Sequence, residues 1–202
     1  MDLQKVNVKF FLENQDAVPL ADCISIFNSW IQTSEGAYYD IADYSHVAAG
    51  PGLVLVAHEA NVSVDNTGNR WGLLYSRKQP LSGSNRDKLR WVFKAALENC
   101  RRIEEEPLLK GRISFVGNEA LFLINDRLLA PNTEETFDAV RTDLEGLGGT
   151  LYAGADFHLE PGTKDARERF GVRITTPLSF DIVTLLRNLG DNDVEVGKRA
   201  TT

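Results

Sequence analysis

Apolar positions recur along the chain with two periods, and the switches between them mark the elements. Residues 6–12, VNVKFFL, are dense in Val and Phe and predict a first strand. Pro19 opens a helix to about residue 32, with Ile24, Phe27 and Ile31 at helical spacing. Gly36 ends it, and residues 37–47 read as a Tyr-rich strand. The run Ala48-Ala49-Gly50-Pro51-Gly52 breaks pairing and predicts a turn into one long strand over residues 53–64. Residues 65–69, DNTGN, form a hairpin loop, and residues 71–76 return as a strand. The clearest helix covers residues 87–105. Its Leu89, Val92, Phe93, Ala96, Leu97, Cys100 and Ile103 fall within one half of the circumference at about 100° per residue. A hairpin follows from residues 112–116 and 119–124 around Gly117-Asn118, a pair favoured in two-residue turns. Asn132 or Thr133 caps the next helix, with Glu134 and Glu135 in its first turn and Phe137, Val140 and Leu144 inward. The glycines of Gly146-Leu147-Gly148-Gly149 read as its stop. Strands over 150–159 and 170–175, a helix over 177–189 and a polar tail over 191–202, read as disordered, complete the chain.

Sliding the sequence by 113 positions, the distance from Gly36 to Gly149, brings residues 8–44 and 121–157 into phase without a gap. Gly36 falls on Gly149, Tyr39 on Tyr152, Ala42 on Ala155 and Asp43 on Asp156. Ile24, Phe27 and Ile31 fall on Phe137, Val140 and Leu144. A fixed-period self-match points to a duplicated unit. The predicted fold class is therefore α+β, with tandem units over residues 1–110 and 111–190, each an antiparallel sheet with helices on one face, the two sheets joined edge to edge or packed together. In element order each unit resembles a ferredoxin-like plait of β-α-β-β type. The resemblance implies a fold and no activity.

Length and charge narrow the picture. With 202 residues, 43% of them hydrophobic, the chain can bury a core without disulfides or metal. Its formal net charge of -7 argues against binding nucleic acid, which needs a basic surface, and against anionic membranes. No run approaches the roughly 20 apolar residues of a membrane span. The start, MDLQKVNVKFF, has no secretory pattern, so the expected location is cytoplasmic. Cys23 and Cys100 sit on apolar helix stripes and read as buried free thiols. The glycines at 146–149 follow a helix and precede a strand, the reverse of a phosphate cradle.

Candidate chemistry gathers around the predicted turn at residues 48–52. If Val47 stands opposite Leu53, then Ala42 faces His58, and Asp40, Tyr44, His46 and His58 share one sheet face. His46, His58 and Asp40 could hold a metal, or a histidine and a carboxylate could act as an acid-base pair. The alternative is a solvated polar strand. Tyr39 and Asp43, and their counterparts Tyr152 and Asp156, are four apart and point the same way on a strand. They offer two related ligand pockets, or an Asp that closes a strand end above a packed Tyr. Trp91 lies opposite the stripe of its helix among Arg90, Lys94 and Arg101, as an interface anchor for a homodimer or as a ring covered by Arg stems. The leading function class is a small-ligand-binding or accessory protein. The competitors are a His/Asp or metal-dependent enzyme on a small polar substrate, and a protein-interaction module.

Overall fold

Alternation along the first strand sorts its side chains between two environments. In the computed structural model, which describes residues 1–16 and 18–190, β1 (Val6–Leu12) turns Val6, Val8 and Phe10 into the apolar core. Asn7, Lys9 and Phe11 therefore point to the other side of the sheet. The chain continues as α1 (Leu20–Thr33), β2 (Tyr38–Tyr44), β3 (Gly52–Ala57), β4 (Ala60–Asp65), β5 (Gly72–Arg77) and α2 (Asn85–Glu105). Then come β6 (Phe115–Ile124), α3 (Glu134–Leu151), β7 (His158–Pro161), β8 (Gly171–Thr175) and α4 (Ile182–Leu189). Among the described residues, eight strands form one antiparallel sheet in the order β2-β3-β4-β5-β1-β6-β8-β7. The four helices bury their stripes in one core with Val8, Phe10, Leu55, Leu73, Phe122 and Val172. No helix among the described residues is long and apolar enough to cross a membrane.

The α2 stripe from Leu89 to Ile103 is buried as its spacing predicts. Ser84 caps the helix: its hydroxyl accepts from the Asp87 amide, and the Asp87 carboxylate accepts from the Ser84 amide. This reciprocal box satisfies two donors that a helix start would otherwise leave open. Cys23 and Cys100 are buried and unpaired.

Several local expectations change: the strand expected over 150–159 is the end of α3 followed by a turn and β7, and three predicted breaks in the pattern move. The strand expected over 53–64 is two strands, β3 and β4, joined by a tight turn at His58-Glu59. That turn contains no Gly, Asn or Pro. It is held from outside, because the Lys78 and Gln79 amides both donate to the Glu59 carbonyl and Arg77 pairs with the Glu59 carboxylate at 2.6 Å. Conversely, the hairpin expected at Gly117-Asn118 is absent: β6 continues through both residues, with a shift of its register against β1 between the Phe10–Ala120 and Leu12–Phe115 pairs. Gly117 serves close approach rather than a turn: a Cβ there would lie 2.1 Å from the Phe180 carbonyl oxygen. The glycines at 146–149 do not stop α3 either. They lie inside it, and Gly148 leaves room for the Phe157 ring, which a Cβ would meet at 2.5 Å. The helix ends at Ala153 (φ 51°) and Gly154 (φ 80°), where the Gly154 amide donates to the Gly149 carbonyl at 2.8 Å.

The residue-level repeat breaks at its strands. Phe27 and Val140 are both buried on helices, so the helices do keep phase. Val8, however, faces the helices, whereas its counterpart Leu121 faces away from them. A shift of one residue reverses the face of a strand. Downstream, Tyr39 is 58% exposed on β2, while Tyr152 is 1% exposed at the C-terminal cap of α3. The strands of residues 1–110 and 111–190 join edge to edge into one sheet through the pairing of β1 with β6, and do not pack as two layers. The tail expected over 191–202 lies outside the described residues.

Candidate functional site

β2 and β3 pair with Asp43 opposite Leu53, four residues away from the expected register. The strand ends at Tyr44, so His46 falls in the exposed loop beyond it. His58 falls in the turn at the other end of β3. The six residues of β3 separate the two rings by roughly 20 Å at about 3.3 Å per residue. His46, His58 and Asp40 therefore form no metal site, and no cluster of three or more metal-binding side chains occurs among the described residues. His58 is exposed and lies 4.0 Å from Glu59.

The remaining expected site residues do local work. The Asp40 carboxylate accepts from the Ile41 amide at 2.8 Å. Asp43 accepts from the Ser45 amide at 2.8 Å, closing the strand end. Hydrogen bonds from Ser45 hold the Asp43 carboxyl below its ordinary range. Tyr44 is partly exposed beside them. Tyr152 is core: it packs against Phe157 and Phe180 with ring centroids 6.1 and 5.4 Å away, and burial pushes its phenol well above the usual range. Asp156 is exposed, and its carbonyl accepts from the Thr176 hydroxyl at 2.7 Å. Trp91 is half-buried against Tyr75, with the Arg77 guanidinium 4.7 Å from its ring centroid. The Arg77 guanidinium thus covers part of the ring.

The structure draws a different group of residues together on the sheet face turned away from the helices. A groove of about 540 Å³ runs over β4, β5, β1, β6 and β8, between the loop of residues 66–70 and the loop of residues 162–170. Ser63, Leu74, Lys9, Leu121 and Arg173 stand opposite one another across five strands. Asp65, Gly72 and Phe11 form part of the next row. Lys9 reaches diagonally to Asp65 at 2.5 Å and also donates to the Thr67 carbonyl at 3.2 Å. Gly72 keeps this path open, since a Cβ there would lie 3.0 Å from the Lys9 Cε.

The pair is out of water, with the Lys9 side chain 2% and the Asp65 side chain 1% exposed. Asp65 accepts further bonds from the Thr67 amide at 3.1 Å and the Thr67 hydroxyl at 2.8 Å. Burial lowers the Lys9 ammonium from its ordinary range, and Asp65 opposes that shift. Beside the pair, Arg70 forks onto Glu119 at 2.7 and 3.0 Å and lies 3.8 Å above the Phe11 ring. Arg173 reaches the same carboxylate at 3.1 Å. Leu121 and Leu123 supply partly exposed apolar surface between these charges, and Phe11 and Leu74 are buried beneath it. No imidazole or thiol lines the groove among the described residues. Its chemistry is that of a fixed polar platform with apolar shelves, suited to holding a molecule.

The sequence carried one signal for this site. Lys9 stands in the middle of an otherwise apolar strand, VNVKFFL. A lysine there is ordinary on an edge strand and demands a partner on a central one, so its meaning depends on the sheet order. No protein-family model, curated protein or solved structure matches the chain.

Proposed function

We propose that this protein binds a small molecule in the open-face groove. The observation that carries the reading is the buried Lys9–Asp65 pair on the floor of a concavity. Removing two charges from water is costly, and an apolar pair of similar volume often serves stability as well. The helix-side core does not include this pair. A bare antiparallel sheet face ordinarily carries solvated polar side chains. Here it is concave, with half-buried leucines beside convergent charged groups, which is the usual make-up of a ligand site.

The test is titration with the neutral fluorescent probe N-phenyl-1-naphthylamine. Wild-type protein should bind it saturably, and Leu121→Trp, which fills the groove, should lose that binding while keeping its far-UV circular dichroism. Equal binding by both proteins, or failure of the wild type to bind this probe and its sulfonated analogue alike, refutes the reading.

A further inference from the structure

We propose that the groove selects an amphipathic organic anion, a carboxylate or sulfonate on an apolar body, and that Arg169 takes the anionic group. The proposal rests on the groove reading above and narrows its ligand.

The chain carries a formal net charge of -7, yet Lys9, Arg70, Arg169 and Arg173 all line this one cavity. Two carboxylates answer them within the sheet. Asp65 holds Lys9, and Glu119 holds both Arg70 and Arg173. Two further acids lie on the lining. Asp165 is gripped by Arg167, whose Nε and Nη2 donate at 3.0 and 2.7 Å. Glu168 is exposed and shared with the neighbouring depression by residues 127–132. With Asp165 spent on Arg167, four cations face three carboxylates, Asp65, Glu119 and the exposed Glu168, which leaves an excess of one positive charge.

Arg169 is where that surplus is least satisfied. It is half-buried and has no hydrogen-bond or ion-pair partner among the described residues. Its charge reaches Lys9, whose ammonium it disfavours together with Arg70. An anion beside Arg169 would relieve that repulsion and would fill a planar fork that matches carboxylate and sulfonate oxygens. A cation would meet the same repulsion. The partly exposed Leu121 and Leu123 then select for an apolar body on the anion, since a small hydrated ion would leave them uncovered.

The test compares two probes of nearly the same shape: 1-anilinonaphthalene-8-sulfonate, an anion, and N-phenyl-1-naphthylamine, which is neutral. The sulfonate should bind about tenfold or more tightly, as expected when a charged hydrogen-bonded contact is added. Arg169→Gln should remove that preference while leaving the neutral probe's affinity within about twofold. In wild-type protein, raising NaCl from about 50 to 500 mM should weaken the sulfonate selectively, because salt screens the charge. Equal affinities for the two probes, or a sulfonate preference that survives both Arg169→Gln and salt, overturns the anion proposal and leaves the groove reading standing. Failure of both probes, or retention of both by Leu121→Trp, overturns the groove reading itself.

Discussion

Replacing Lys9 with Met separates a buried ion pair from a merely proximate one. Met keeps most of the stem and removes the ammonium. Asp65, 1% exposed, then loses its 2.5 Å partner and keeps only the two bonds from Thr67. Removing one member of a buried pair costs about 3–5 kcal/mol. The two retained bonds, each worth about 1 kcal/mol net, place the loss near the lower end, about 3 kcal/mol. For a chain of this size that is a fall of about 6–12 °C in Tm. The double variant Lys9→Met/Asp65→Leu leaves no buried charge and should return to within about 1 kcal/mol of wild type. Urea unfolding followed by circular dichroism measures all three, and an unchanged slope shows that the same transition is compared. A Lys9→Met loss below about 1 kcal/mol would mean that water screens the pair. A double variant as unstable as the two single losses added together would mean that the residues do not act as a pair.

Other outcomes follow from individual environments. Gly146 sits inside α3 with open space where a Cβ would go, so Gly146→Ala should stabilise by up to about 1 kcal/mol. Gly148→Ala should instead destabilise by about 1–3 kcal/mol, because its Cβ meets Phe157; thermal melts of both variants give the two signs. Burial pushes the Cys23 thiol up to about 11 and the Cys100 thiol well above its ordinary range, so a thiol-reactive disulfide should label neither in native protein and both in urea. Rapid native labelling would place either residue outside the core. Burial also raises the Glu104 carboxyl, against the opposing Phe115 amide. The folded state thus holds this proton more tightly than the unfolded one, and the associated stability is lost as pH rises through the folded pKa. Glu104→Gln cannot ionise, so its stability relative to wild type should rise between about pH 4 and pH 7; a flat difference would show that Glu104 is solvated.

The elements legible in the sequence were those whose causes are local. β1 and α2 carry their own periodicity, and the α2 start carries its own cap at Ser84. Punctuation by single residues was less informative. His58-Glu59 turns because β5 holds it, with no turn-forming residue of its own. Gly117 and Gly148 look like breaks and are packing residues, small because Phe180 and Phe157 approach them. Glycine marks a position where a side chain cannot fit, and sequence alone does not say whether backbone angle or a neighbour forbids it. The expected His site failed through a register offset of four, set by where the 45–51 loop folds. The groove was unreadable because its charged residues come from β1, β4, β6, β8 and two loops. Only the order of strands in the sheet brings Lys9, Asp65, Glu119 and Arg173 together.

The central place of β1 also sets a timetable for synthesis. This strand is the first to be made, yet its neighbours, β5 and β6, come about 65 and 110 residues later. Until β6 has emerged, one side of a strongly apolar ribbon has no partner. A nascent chain stalled after α2 would expose that edge as a template for another strand. Completion of the second half thus closes the sheet and also protects the first half from association with its own copies.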